Sequence, residues 1–351
     1  MTNLDAEREL FLVGSIALAD APEVFTTVGD ALGHAVRRIP DGETGDRLGW
    51  LEWLRPYLAA HPMLEPVPSA GDWRNATAPD AWKHTTWYRL KPGADPNGLV
   101  FRDIGYADHA RRSFRDFQAA QKEGHVPPHC RFMVAIPSPF NLINQYIAPE
   151  SRPAVEPRWE EGILAEVDAI AAAIPHDRLA IQWDCAHDMQ AYDDARDAWF
   201  EPKQAGIVDR LVRLGDHVPA DVELGYHLCY GSFGGKHFVE PKDMGAMVRL
   251  ANALCAGVAR PIDWIHMPVP AERDDDAYFA PLDGLVLQPA TRLYLGLIHD
   301  SDGEAGTLRR IEVARRHAAD FGIATECGFG RRPPETIAEL LGLHARLADG
   351  R

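Results

Sequence analysis

Short apolar runs alternate with amphipathic segments along most of this chain. Runs at 12–15, 35–39, 131–136, 179–183, 222–228, 264–269, 293–298 and 323–327 are dominated by aliphatic and aromatic residues and read as buried strands. Between most of them, apolar positions recur at a helical period, at 160–174, 205–214, 244–258, 308–319 and 335–347, which predicts helices packed by one face. Strand alternating with helix implies a parallel sheet, and eight such units imply a (β/α)8 TIM barrel. The rival architecture, an open doubly wound sheet, would carry a Gly-x-Gly-x-x-Gly turn after its first strand, and none occurs here. Residues 51–126 break the alternation with Pro56, Pro62, Pro66, Pro68, Pro79, Pro92 and Pro96. The stretch exceeds an ordinary βα loop. It is expected to be an insertion between strands 2 and 3, folded over the mouth of a single barrel domain spanning 1–351. A smaller insertion is expected at 231–243.

Composition changes this picture little. With 351 residues and 46% hydrophobic content, the chain can bury a large core. Its 36 Lys and Arg against 52 Asp and Glu leave a net charge of −16. Nucleic acid and anionic membranes both need clustered cations, so neither is an expected partner. No run approaches the ~18 apolar residues of a membrane span. The apolar stretch 11–19 follows Asp5, Glu7, Arg8 and Glu9 rather than a basic start, so it reads as a first strand and not as a signal peptide. Five widely spaced cysteines do not form a disulfide framework and point to a reducing, cytoplasmic compartment.

The chemistry gathers at predicted strand ends. His227 and Cys229 are two apart, so in a strand they face one side together. Cys327 ends the last apolar run. Converging at a barrel mouth, these three form the ligand set of a zinc site with one position open. Barrel active sites lie at the C-terminal ends of the strands. The other ends carry Gly14 and Ser15, Asp41 and Glu43, Gln182 and Asp184, His266, and His299 with Asp300. A single polar strand end is explained by helix capping. Two thiols, three imidazoles and several carboxylates at seven strand ends are not.

These residues, in this order, resemble the C-terminal catalytic barrel of cobalamin-independent methionine synthase, within the wider group that includes uroporphyrinogen decarboxylase. Gly14-Ser15 is similar to the family's Gly-Ser, Asp41-Gly42-Glu43 to its His-Gly-Glu, and Gln182-Trp183-Asp184 to its Gln-Ile-Asp. His227-Leu228-Cys229-Tyr230 resembles its His-Met-Cys-Tyr, Ile298-His299-Asp300 its Ile-His-Ser, and Glu326-Cys327-Gly328 its Asp-Cys-Gly. The resemblance implies that His227, Cys229 and Cys327 ligate Zn2+. Gly14, Ser15, Glu43, Gln182 and Asp184 would hold an amino-acid-like thiol, with Ser15 backbone amides on its carboxylate and Glu43 and Asp184 on its ammonium. His299 would protonate the departing amine of a methyl donor.

Three departures matter. The family's fourth ligand is a Glu on the strand that here reads Trp264-Ile265-His266, so His266 is expected to replace it, with His237 and Glu240 as alternatives. Asp184 is followed by Cys185, Ala186, His187 and Asp188 where the family has Glu-Pro. The family's enzyme also has a second barrel-like half that helps hold a polyglutamylated folate. Without it, and at net charge −16, such a donor is not expected here. The expected activity is zinc-dependent methyl or alkyl transfer to a thiol. A zinc lyase or hydrolase on the same scaffold is the alternative. A metal-free decarboxylase would need a cationic cluster, and only Arg37-Arg38 lies near the first strands. Trp50, Trp53, Trp73, Trp82 and Trp87 are candidate walls for an aromatic ligand, and Arg331-Arg332 a candidate anion contact.

Overall fold

The structure is a computed structural model, and it describes residues 8–69, 86–233, 236–237 and 239–349. Trp73, Trp82 and Pro79 lie outside the described residues. The strands are β1 (Arg38–Pro40), β2 (Leu64–Pro68), β3 (Thr86–Leu90), β4 (Arg131–Pro137), β5 (Leu179–Cys185) and β6 (Glu223–Leu228), then β7 (Ser232–Phe233), β8 (Lys236–His237), β9 (Trp264–Pro268), β10 (Arg292–Ile298) and β11 (Gly322–Thr325). The helices are α1 (Ala21–Leu32), α2 (Arg55–Ala60), α3 (Tyr106–Glu123), α4 (Pro139–Tyr146), α5 (Arg152–Ala173) and α6 (Ala186–Tyr192), then α7 (Lys203–His217), α8 (Gly245–Gly257), α9 (Asp276–Phe279), α10 (Gly303–Ala314) and α11 (Ile337–Asp349).

Seven strands form one parallel sheet in the order β1-β4-β5-β6-β9-β10-β11. The sheet curls, and residues 10–16 bridge both of its edges. The Leu10 amide donates to Ala35 O and the Phe11 amide to Ile323 O, while the Ile16 amide donates to Gly42 O and the Phe329 amide to Ser15 O. The result is a TIM-barrel-like α/β fold. The predicted first strand differs in kind: it makes isolated bridges rather than a continuous ladder. Its backbone must serve two neighbours whose registers diverge.

Alternation along the strands sorts residues onto two faces. Phe11, Val13, Met133, Ala180, Trp264, Tyr294 and Ala324 form a small inner cluster. Their sequence neighbours Leu12, Phe132, Ile181, Ile265, Leu295 and Ile323 belong to the larger layer between sheet and helices. Local signals place the helices. Asp20 caps α1 by accepting from the Glu23 amide, and Glu23 Oε2 accepts from the Ala19 amide, so two orphan donors are satisfied reciprocally. Between β1 and β4, the hairpin β2–β3 precedes α3, whose Phe117 packs edge-on against Phe25 of α1. Glu166 of α5 accepts from the Ile104 and Ala107 amides at the start of α3. The 106–123 part of the predicted insertion is therefore packed as one of the helices around the sheet.

Candidate metal and substrate site

In β6, Leu224, Tyr226 and Leu228 pack outward, so Gly225 and His227, and Cys229 just beyond the strand, face the interior. The chain after β11 brings Cys327 to the same point. One ring nitrogen of His227 and the sulfurs of Cys229 and Cys327 all lie within 4.8 Å of one another. The sulfurs are 3.8 Å apart and both cysteines are free. Two thiolates each about 2.3 Å from a tetrahedral ion would stand about 3.8 Å apart, so this spacing fits zinc. His227 Nδ1 is 2.7 Å from His266 Nδ1, while Nε2 is buried with no hydrogen-bond partner among the described residues. An orphaned buried imidazole nitrogen beside two thiols is the donor set that a soft cation satisfies. The Gly231 amide donates to Cys229 Sγ at 3.1 Å, a contact that supports a thiolate. The hydrogen bond from Cys229 pulls the Cys327 thiol well below its usual value and pushes Cys229 up.

The triad forms one wall of a cavity of about 40 Å3 that opens at the C-terminal ends of the strands. Gly14, Ser15, Glu43, Asp184, Trp50 and Arg331 form much of the rest. Each is held by its own local chemistry. Glu43 sits in the left-handed region at φ 48°, in a tight turn whose amide donates to Asp41 Oδ1. A Cβ on Gly14 would lie 2.6 Å from Glu43 Oε1, so only glycine lets this carboxylate lie against the backbone. Burial, and then the charge of Asp184, push the Glu43 carboxyl well above its usual range. Burial likewise lifts Asp184 to about 6. Asp41 stays low in spite of burial, because Arg47 pairs with it at 2.7 Å and Ser113 donates to it. The Gly330 amide donates to Ser15 Oγ.

Seven of the ten site residues expected from sequence meet at this cavity: Gly14, Ser15, Glu43, Asp184, His227, Cys229 and Cys327. Three stand elsewhere. Gln182 is one layer deeper, where it donates to Val13 O and Asp184 Oδ1 and accepts from Trp264 Nε1. It orients Asp184 rather than lining the cavity. His266, expected as the fourth ligand, is not in the group formed by His227, Cys229 and Cys327. One nitrogen meets His227 and the other lies 3.1 Å from Thr325 O. Burial holds its pKa well below 6.5. The alternatives His237 and Glu240 bond each other at 3.1 Å and are not in the triad either. His299 does not line the cavity. Its Nε2 is 2.8 Å from Val269 O and its Nδ1 is 3.6 Å from buried Glu326. Trp50 and Arg331, weak candidates from sequence, do line it. Ala186, Gly231 and Gly328 also line the cavity, though none of them is among the site residues expected from sequence.

No family model matches the chain, and no curated protein matches it in sequence. Solved structures do match. One is from Listeria monocytogenes and is described as a candidate vitamin-B12-independent methionine synthase (TM-score 0.57, 16% identity, covering 98% of this chain and 97% of that one). Another is a B12-independent methionine synthase from Shewanella sp. W3-18-1 in complex with selenomethionine (TM-score 0.61, 12% identity, 93% and 86%). A third is a methyltransferase from Methanosarcina mazei (TM-score 0.52, 13% identity, 96% and 93%). The chain therefore shares the fold of B12-independent methionine synthase-like proteins over nearly its whole length.

Proposed function

We propose that this protein is a zinc-dependent methyl or alkyl transferase that activates a thiol substrate. The carrying observation is the buried convergence of His227, Cys229 and Cys327 at the open end of the barrel, beside two carboxylates. Three protein ligands leave one position for the substrate sulfur. Zinc there would supply a thiolate near neutral pH by stabilising the deprotonated sulfur. The chain's residues do the rest. Glu43 and Asp184 face the cavity and suit a substrate ammonium, while Arg331 and the Ser15 turn suit its carboxylate. Glu43 and Asp184, both pushed up by burial, are also placed to hold or release a proton, the task that the family resemblance implies for His299. In this reading the described residues 51–69 and 86–105 form a cover over the mouth. Trp50, just before that segment, lines the cavity, and Glu52 accepts from the Tyr146 hydroxyl at 2.6 Å.

The test is metal content and turnover together. Protein purified without chelator should carry close to one zinc per chain and transfer a methyl group from sulfonium, folate or amine donors to homocysteine or a simple thiol. Cys229→Ser and Cys327→Ser should each lose zinc and drop turnover at least a hundredfold. Full activity in metal-free protein would end the proposal. The carboxylates beside the open position also favour a second reading, a zinc hydrolase or lyase with Asp184 as base. Activity that needs no thiol would select it.

A further inference from the structure

His227 and His266 lie side by side in paired strands, and their Nδ1 atoms are 2.7 Å apart. One proton fits between two nitrogens at that distance. Its owner is decided on the far side of His266. There Nε2 lies 3.1 Å from the Thr325 carbonyl oxygen, which can only accept. His266 therefore carries a proton on Nε2. It is fully buried with no carboxylate in hydrogen-bond contact, and a neutral imidazole has one N–H. Its Nδ1 is then a bare acceptor, and the shared proton belongs to His227 Nδ1. That leaves His227 Nε2 as a lone pair; it is the buried ring nitrogen without a hydrogen-bond partner among the described residues, on a histidine that brings one ring nitrogen within 4.8 Å of both sulfurs.

We infer that His266 is a positioning residue: with the Thr325 carbonyl it fixes His227 in the Nδ1–H tautomer and aims the Nε2 lone pair at the metal position. The inference rests on the metal reading above. It also explains why a histidine sits there without being a ligand. A metal-bound imidazole needs its remote N–H oriented by an acceptor, usually a carboxylate or carbonyl. Here a second imidazole does this work and passes the constraint on to the backbone. The backbone in question is two residues from Cys327, and the Thr325 hydroxyl donates to the Cys327 carbonyl at 2.7 Å. One strand end thus anchors both the third ligand and the relay that aligns the first.

Two measurements test this. Nitrogen-15 NMR of the metal-free wild-type protein should show His227 protonated at Nδ1 and His266 at Nε2. A His227 protonated at Nε2 overturns the inference with no variant needed. Zinc affinity by chelator competition should fall about 10- to 100-fold in His266→Leu. It should return to within a few fold in His266→Asn, whose side-chain oxygen can accept from His227 Nδ1. The visible spectrum of the cobalt-substituted protein should shift in His266→Leu and recover in His266→Asn, which a packing defect alone would not produce. Unchanged affinity and spectrum in His266→Leu, or equal losses in both variants, would refute the role. A wild-type protein that binds no zinc would end the metal reading, while the NMR result would still decide the tautomer.

Discussion

Asp188 is a fully buried carboxyl in the first turn of α6, and it shows how a single residue can set the pH response. Its Oδ2 accepts from the Ser138 hydroxyl at 2.6 Å and from Asn141 Nδ2 at 3.1 Å. Burial outweighs these bonds and lifts its pKa to about 7. The folded value lies above the unfolded one, so the folded state holds the extra proton between about pH 4 and 7. Asp188 therefore supports the fold at low pH, and that support is lost as pH rises through 7. Asp188→Asn keeps an oxygen for Ser138 and Asn141 but cannot ionise. It should be more stable than wild type at pH 8, by up to about 4 kcal/mol. The gap in Tm should widen from pH 4 to 7 and then stay level, and a gap that ignores pH would show that Asp188 is not the titrating group. Residues of this kind are hard to read in sequence, because their behaviour comes from what surrounds them. His227, Cys229 and Cys327 were legible because strand alternation and strand-end position fix where such side chains point. His266 and His299 satisfy the same rules, yet Thr325 O and Val269 O claim their ring nitrogens. No spacing in the chain shows where a carbonyl will lie.

At the scale of the element, strands carry the site and their mutual approach fixes it. Gly296 in β10 is packed between the C-terminal ends of β9 and β11. A Cβ there would fall 2.7 Å from Glu326 Cα, 2.9 Å from Thr325 O and 3.0 Å from Pro268 Cα. All three atoms are backbone, so no side chain can swing aside. Gly296→Ala should cost about 1–3 kcal/mol. It should also weaken metal binding, because Cys327 follows directly on the displaced strand end. Thermal melts and chelator competition on this variant would check both effects, and a wild-type Tm would show that the strands can part without cost. Helices were legible to within a few residues where one apolar face repeats, as in α8 and α11. The first strand and β1 were not. The ladder at β1 covers only Arg38–Pro40 rather than 35–39, because the chain before Arg38 turns to meet Leu10. The long segment before β4 hid a regular helix, α3, behind its prolines.

For the whole molecule, a metal held at the proposed site would link binding to stability. The three candidate ligands come from the C-terminal end of β6 with the residue just beyond it and from the chain after β11, 98 residues apart between the two sulfurs. The unfolded chain has no such site, so zinc at a hundred times its Kd should stabilise the fold by about 2.7 kcal/mol. Scanning calorimetry should record a Tm several degrees lower after chelation, restored by zinc, with no response in Cys229→Ser. Equal Tm values with and without zinc would separate the site from the fold. Among the described residues, no helix is long and apolar enough to cross a membrane.

The bridges made by residues 10–16 also order events in time. Ser15 and Gly330 bond across 315 residues of chain. On a ribosome, Leu10, Phe11, Leu12 and Val13 emerge early and can meet the edge near Ala35 and Val36, but their second edge is missing until β11 has been made. Non-local pairing of this kind delays folding and leaves apolar segments uncovered meanwhile. The same short stretch that completes the native ring is thus the one left waiting longest during synthesis, and it is where a nascent chain of this protein most needs a chaperone.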